Sequence, residues 1–149
     1  MLTELTGPGV IEWQGVRYKT ILPAAATDGA ISVVDSLNPV GSGPPRHIHE
    51  QEDEIFVILT GEYEFWLDGQ IIAKKAGNAI FVPRGREHTF RVLGRQLSRH
   101  LPIHTPGGFE NFFAEMAQGG SRIPDDMEQI AAAAARHRLR FTGPPLGSE

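Results

Sequence analysis

The stretch Gly41–Gly61 reads GSGPPRHIHEQEDEIFVILTG, a loop rich in glycine and proline that leads into a short apolar run. Its two histidines, His47 and His49, are spaced two residues apart, so a strand places both imidazoles on one face, about 6.6 Å apart along the chain. Glu54 follows an acidic turn and opens the apolar run, from where it can fold back beside them. Imidazole and carboxylate groups are ligands of divalent transition metals. The stretch therefore predicts one half of a metal site.

A second stretch, Gly77–His88, reads GNAIFVPRGREH and supplies a further imidazole. His88 follows a short strand and a turn at residues 83–85. A histidine pair alone is weak evidence for a metal site, but several ligand types flanked by turn-forming glycines and prolines favour one. One alternative stays open, in which Asp53 is the ligand in place of Glu54.

The composition limits the class of protein. The chain has 149 residues, of which 40% are hydrophobic and 21% charged, as is typical of a globular domain. The formal net charge is -4 and no basic stripe is present, so we expect no nucleic-acid partner. No apolar run reaches the about 20 residues of a membrane span, and no leader pattern opens the chain. The absence of cysteine excludes disulfides and zinc–thiolate sites and fits a cytoplasmic location.

Short apolar runs between turn residues predict an all-β fold. The chain contains 17 glycines and 11 prolines, and the dipeptide Asp68-Gly69 predicts a two-residue hairpin turn. Many short, closely spaced strands are typical of a sandwich or barrel. The predicted strands are Val10–Trp13, Val16–Leu22, Ile31–Leu37, Glu54–Thr60, Glu62–Leu67, Gln70–Lys74, Ala79–Val82, His88–Leu93 and Gln96–His104.

The hydrophobic period changes after Gly108. Apolar residues at helical spacing predict a short amphipathic helix over Phe109–Gln118. Pro124 is placed to open a second helix, which we expect to run to about His137. The tail Thr142–Glu149 is predicted to be loose.

With these residues in place, the sequence resembles the cupins. Gly41-x5-His47-x-His49-x4-Glu54-x6-Gly61 matches their first motif, and Gly77-x5-Pro83-x-Gly85-x2-His88 matches their second up to its last position, where the usual Asn is Val92. The resemblance covers roughly residues 31–104 and implies a double-stranded β-helix, a jelly-roll barrel. It makes four residues the ligands of one divalent metal ion, namely His47, His49, Glu54 and His88. The chain 1–149 is then a single cupin domain, with a barrel core at about 10–104 and C-terminal helices at about 109–138.

Strand parity extends the candidate site to its surroundings. Residues that share a strand face with a ligand either line a substrate cavity or form ordinary barrel core, and the pattern does not separate the two. The candidates for the cavity wall are Phe56, Ile58, Tyr63, Phe90, Val92 and His100.

Other polar residues are expected away from the ion. His100 and His104 share parity and are as readily rim or surface residues as pocket groups. Arg46 has the opposite parity to His47 and should point away. His137 is predicted to be exposed to solvent, and so are three residues of the acidic turn, Glu50, Glu52 and Asp53.

Three imidazoles and one carboxylate suit Fe, Mn, Ni, Co, Cu or Zn. Cupins similar to this chain are often dioxygenases of the quercetin or diketone type, which implies an enolic or aromatic substrate and a second role for Glu54 as a base. The alternative is a metal-bearing module that binds or senses a small molecule without chemistry. By analogy with small cupins we also expect a homodimer.

Overall fold

Two antiparallel β-sheets pack face to face in the computed structural model, which describes residues 4–148. The first sheet has the strand order β1-β2-β3-β10-β5-β8, and the second has the order β11-β4-β9-β6-β7. The described strands are β1 Val10–Trp13, β2 Val16–Leu22, β3 Ser32–Asn38, β4 Pro45–His49, β5 Asp53–Thr60, β6 Glu62–Leu67, β7 Gln70–Lys75, β8 Ala79–Val82, β9 His88–Leu93, β10 Ser98–Thr105 and β11 Leu139–Pro145. This arrangement is the predicted double-stranded β-helix.

The core between the sheets follows from the alternation of side chains along the strands. Tyr63 and Phe65 of β6 point inward and are 0% and 1% exposed. They pack against apolar residues of three other strands, which are Phe56, Ile58, Ile80, Val82, Phe90 and Val92. Asp68 and Gly69, with φ of 46° and 89°, form the hairpin turn between β6 and β7. The predicted two-residue turn is therefore confirmed, since it requires positive φ at both positions.

Two helices, α1 Glu110–Gly119 and α2 Met127–Arg136, cover one side of the barrel. Their apolar faces form a second cluster with the start of β11, made of Phe109, Phe112, Met116, Ile130, Ala133, Ala134 and Leu139. Within residues 4–148, no helix is long and apolar enough to cross a membrane.

The start of α2 differs from the prediction. Pro124 does not open the helix, which begins at Met127. The backbone of Arg122 and Asp126 forms a turn first, because the Asp126 N–H donates to the Arg122 carbonyl at 2.7 Å. The Asp126 carboxylate in return accepts from the Arg122 N–H at 2.8 Å.

The predicted loose tail is wrong for residues 142–145. They belong to β11, which pairs with β4 so that Leu139 lies opposite His49 and Phe141 opposite His47. The run is rich in glycine and proline and has no strand signal of its own, but β4 offers it an unpaired edge. Glu149, the last residue of that tail, lies outside the described residues.

Candidate metal centre

Four buried side chains converge where the two sheets meet. Each of His47, His49, Glu54 and His88 offers one ligand atom, and these atoms all lie within 4.8 Å of one another. The side chains are 7%, 3%, 5% and 1% exposed in that order. Oε1 of Glu54 lies 2.9 Å from Nε2 of His88 and 3.4 Å from Nε2 of His49. With metal–ligand bonds of about 2.0–2.2 Å, a cluster of this size can surround one ion.

The backbone brings these residues together from both sheets. His47 and His49 alternate with outward-facing residues on β4, so both rings project inward. His47 lies directly opposite His88 of β9. Glu54 comes from β5 in the other sheet, so the cluster joins the two sheets at one end of the barrel.

Hydrogen bonds at the outer nitrogens orient two of the rings. Nδ1–H of His47 donates to the Pro45 carbonyl at 2.7 Å, and Nδ1–H of His88 donates to the Arg86 carbonyl at 3.0 Å. A carbonyl can only accept, so Nδ1 carries a proton in both rings. In neutral His47 this leaves the lone pair on Nε2, whereas Nε2 of His88 lies 2.9 Å from Oε1 of Glu54. Such outer contacts to metal-bound histidines fix the tautomer and the direction of the ring.

The third ring has a carboxylate beside its outer nitrogen. Nδ1 of His49 lies 3.6 Å from Oε1 of Glu52, beyond hydrogen-bond length. Glu52 is 8% exposed, so the prediction that it lies in solvent is wrong. Burial raises the pKa of its carboxyl above the usual value.

The electrostatics of the cluster fit a cation. Burial, together with neighbouring His88 and His49, lowers the pKa of His47 well below its usual value, and burial lowers that of His49 to about 3. Burial raises the pKa of Glu54, but His104 and His49 beside it bring it well below the usual value. At pH 7 His47 and His49 are therefore neutral and lie beside the ionised, buried carboxylate of Glu54. A cation would offset this buried negative charge and could be bound by the neutral imidazoles, so the residues present fit a divalent metal ion.

His104 is a further buried residue beside the cluster that sequence reasoning did not place there. The sequence predicted a pocket position and a rim position for His104 equally. In the structure His104 is 0% exposed and lies opposite Glu54 in the pairing of β5 and β10. Its Nε2 is 2.8 Å from Oε2 of Glu54, the oxygen that His49 and His88 do not approach. The sequence shows only that His104 and His100 lie on the same strand face. The pairing of β10 with β5 is needed to show that His104 lies opposite Glu54.

The acidic turn supplies no further ligand. Asp53, the alternative to Glu54, accepts from the backbone N–H of Arg84 at 2.8 Å and pairs with its guanidinium at 3.2 Å. Glu50 is exposed, as predicted, and pairs with Arg140.

Two other polar residues lie away from the cluster. Arg46 points away as predicted, with its guanidinium carbon 4.5 Å from the centre of the Trp66 ring. His137 is half-buried instead of fully exposed, because its Nε2 contacts Oε2 of Glu115 at 2.7 Å.

A cavity of about 360 Å³ opens beside the cluster. Of the predicted wall residues, Phe56, Phe90 and His100 line it. The other three lie in the core behind the wall and not on the cavity, namely Ile58, Tyr63 and Val92. The helical segment supplies further aromatic wall, which consists of Phe109, Phe112 and Phe113.

Val92 stands where the second motif usually has Asn. Its side chain is 1% exposed in the core, so it offers the cavity no polar contact. Its backbone holds the first motif in place, since its carbonyl accepts from the Gly41 N–H and its N–H donates to the Ser42 carbonyl, both at 2.9 Å.

Comparison with known proteins gives consistent results. Residues 34–102 match the sequence model of the cupin domain. Quercetin 2,3-dioxygenase of Bacillus subtilis is 37% identical over 96 residues, which cover 64% of this chain and 28% of that enzyme. An oxalate-binding protein of Thermotoga maritima is 39% identical over 56 residues, which cover 38% of this chain and 46% of that protein.

A solved structure agrees with the fold. The crystal structure of a predicted oxalate decarboxylase from Thermotoga maritima superposes with a TM-score of 0.60 and 27% identity. The superposition covers 71% of this chain and 96% of that chain. By contrast, this chain spans less than a third of the length of the Bacillus enzyme.

Proposed function

This chain belongs to the cupin family, and we propose that it is a metal-dependent dioxygenase acting on a small enolic or aromatic substrate of the flavonol or β-diketone type. The observation that carries the proposal is the position of the three-histidine, one-carboxylate cluster beside an apolar cavity lined by phenylalanines. Such a cavity favours an aromatic ligand over a highly charged one. The similarity to the Bacillus quercetin 2,3-dioxygenase supports the same reaction class.

The four clustered residues, His47, His49, Glu54 and His88, would hold the ion. Once bound, a divalent metal supplies a Lewis acid that polarises a substrate oxygen and, if redox-active, exchanges electrons with dioxygen. The donor set admits Fe, Mn, Ni, Co, Cu or Zn. Dioxygen is the oxidant of the proposed reaction, and both of its atoms enter the products.

In this proposal Glu54 also acts as the base. Its Oε1 faces the imidazoles of His49 and His88, and its Oε2 faces His104 at 2.8 Å. A carboxylate with a lowered pKa is ionised at neutral pH and can accept the proton of an enol. His104 would keep the carboxylate in one orientation while it does so.

Phe109 would shield the chemistry from water. It is 4% exposed, and its ring centre lies 4.5 Å from that of His49 and 5.1 Å from that of His104. An apolar cover of this kind strengthens electrostatic interactions beneath it and limits side reactions.

Oxygen uptake tests the proposal. The protein is loaded separately with Fe, Mn, Co, Ni, Cu and Zn and is given quercetin or 1-phenyl-1,3-butanedione in air. We expect uptake with at least one redox-active metal, and its loss in Glu54→Gln, which keeps the shape of the side chain but not its charge. Glu50→Gln, which changes an exposed glutamate, is the matched control. If neither substrate is turned over in a metal-dependent reaction, the proposed dioxygenase activity is rejected.

The alternative function is a metal-bearing module that binds a small molecule without converting it. The similarity to the oxalate-binding protein of Thermotoga maritima favours this reading. Mass spectrometry of the purified protein, with elemental analysis, would then recover a metal and an unchanged metabolite. Rapid conversion of that metabolite in air would eliminate the binding module.

We further propose that the protein acts in the cytoplasm as a homodimer, with no nucleic-acid or membrane partner. The strand β1 lies at the edge of the six-stranded sheet and offers a surface for a second copy. Light scattering coupled to gel filtration would give twice the chain mass of 16.3 kDa for a dimer. A monomer at micromolar concentration would reject this assembly.

A further inference from the structure

A second polar group lies on the wall of the same cavity, apart from the four clustered residues. His100 of β10 is 2% exposed and lines the cavity with Phe56 and Phe90. The centre of its ring lies 5.5 Å from that of Phe56 and 5.2 Å from that of Phe90. A polar ring packed between apolar rings is costly unless its nitrogen atoms find partners.

The inner nitrogen of His100 is a hydrogen-bond acceptor. The Tyr63 hydroxyl lies 2.8 Å from Nδ1, and the amide nitrogen of Asn38 lies 3.1 Å from it. That amide nitrogen also donates to the carbonyls of Ser36 at 3.2 Å and Ser98 at 3.4 Å, which identifies it as the NH₂ group. Because an NH₂ group only donates, its approach to Nδ1 favours the tautomer in which Nδ1 accepts and Nε2 carries the proton.

The proton of the neutral ring therefore sits on Nε2. Burial lowers the pKa of His100 to about 4, so the ring is neutral at pH 7. Burial also raises the pKa of Tyr63, which keeps its hydroxyl protonated as a donor. Among residues 4–148, Nε2–H of His100 has no hydrogen-bond acceptor, although the residue lines the cavity. An oxygen inside the cavity would therefore be an acceptor for this N–H group.

An apolar stretch separates Nε2–H of His100 from the metal-candidate cluster, which consists of His47, His49, Glu54 and His88. His100 and His104 lie four residues apart on β10, which corresponds to about 13 Å along the strand. His104 contacts Glu54, whereas between the two histidines Pro102 pairs with Phe56. His100 and the cluster thus border the same cavity, with the apolar residues Phe56 and Pro102 between them.

We propose that His100 is a specificity-determining residue whose Nε2–H binds an oxygen acceptor at the end of the ligand remote from the cluster. The ligand class is a small aromatic molecule with an oxygen function at both ends, of which one reaches the cluster and the other reaches His100. The oxygen of the ligand that reaches the cluster rests on the proposed function. The oxygen that reaches His100 rests only on the contacts of His100.

The first experiment measures the tautomer and needs no ligand. Nitrogen-15 NMR of the imidazoles in the metal-free wild-type protein at pH 7 should show His100 protonated at Nε2 only. A His100 ring that is protonated at Nδ1, or at both nitrogens, overturns the proposal whatever reaction the protein catalyses.

The second experiment measures recognition with a matched pair of probes. The zinc-loaded protein is titrated with 3-hydroxyflavone and with 3,4′-dihydroxyflavone, which adds an oxygen at the far end. One neutral hydrogen bond should make the dihydroxy probe bind about 2- to 12-fold more tightly. His100→Phe should abolish the preference of the protein for the dihydroxy probe, while His100→Gln, which keeps an N–H donor, should retain part of it. A wild-type protein without the preference, or a His100→Phe variant that keeps it, overturns the proposal.

The two proposals can fail separately. If neither flavone binds the metal-loaded wild-type protein, the proposed substrate class is wrong, and phenol then decides the role of His100. Millimolar phenol should shift the Nε2 resonance of His100 in the wild-type protein. If that resonance does not move, the proposal for His100 is rejected.

Discussion

Nε2 of His104 lies 2.8 Å from Oε2 of Glu54, because β10 and β5 pair with these two residues directly opposite each other. The contact occupies the carboxylate oxygen that points away from His49 and His88. We therefore expect His104 to hold the Glu54 carboxylate in place, with Oε1 toward the imidazoles, without belonging to the set of four.

Replacing His104 should weaken metal binding. His104→Phe removes the contact with Glu54, and loss of an outer contact of this kind lowers metal affinity about 10- to 100-fold. Zinc affinity is measured by competition with a chelator of known Kd. His137→Phe is the matched control, since it removes a histidine–glutamate contact on the helical segment, away from the cluster. Equal zinc affinity in the wild type and His104→Phe would contradict the orienting role.

Acid should destabilise the metal-free protein. The folded protein holds His49 at a pKa of about 3 and His100 at about 4, and burial also lowers that of His47, whereas an unfolded histidine titrates near 6.5. Below that value the unfolded chain binds protons that the folded chain refuses, so the free energy of unfolding falls as pH falls. Each fully excluded proton contributes about 1.4 kcal/mol per pH unit. The lowered pKa of Glu54 acts in the same direction at lower pH.

Urea unfolding at pH 7, 6, 5 and 4 measures this effect. We expect a continuous decrease in the free energy of unfolding, most of it below the ordinary titration of histidine. A free energy that stays constant over this range would show that the three imidazoles are not held neutral.

Removing the ring of Phe109 should destabilise the fold and uncover the cluster. The side chain is 4% exposed and packs against both His49 and Phe112. A buried Phe→Ala change costs about 3–5 kcal/mol. Phe109→Leu keeps most of the apolar volume and should cost less. Chemical denaturation gives both values, and a loss below about 1 kcal/mol in Phe109→Ala would show that the ring is not part of a packed core.

Gly61 should tolerate alanine less well than Gly69. Both have positive φ, 85° and 89°, so either substitution strains the backbone by about 1–2 kcal/mol. A Cβ at Gly61 would also lie 1.8 Å from Oγ and 2.5 Å from Cβ of buried Ser98, whereas a Cβ at Gly69 meets nothing within 4 Å. Thermal unfolding of Gly61→Ala and Gly69→Ala compares them directly. Equal losses of stability would mean that the turn at Gly61 and β10 do not approach so closely.

The convergence of the four clustered residues was predictable because its determinants are local. His47 and His49 share a strand face by their spacing, and His88 follows a turn that the residues before it encode. Glu54 could be preferred to Asp53 as the candidate ligand only because Glu54 opens the apolar run and is therefore expected to face inward. Its burial and the exposed pairing of Asp53 with Arg84 agree with that expectation.

The interior of β10 was not predictable from hydrophobicity. Its inward face carries Ser98, His100, Pro102 and His104, whereas Leu101 and Ile103 are only half-buried on the other face. Apolar alternation would place the leucine and isoleucine inside. The order is inverted on a face that borders the cavity and the metal-candidate cluster. The burial of Glu52 was not predicted either. It depends on the position of His49 and not on the neighbours of Glu52 in sequence.

The pairing of β11 with β4 has a consequence for the order of folding. On its other side, β4 meets β9 through the single pair His47 and His88, so β11 provides most of its lateral support. Two of the four candidate ligands thus sit on a strand that is secured only after the chain has folded back past both helices. We therefore expect the cluster to be completed late in folding, and a proteolytic nick between α2 and β11 to weaken it without cutting next to any of the four residues.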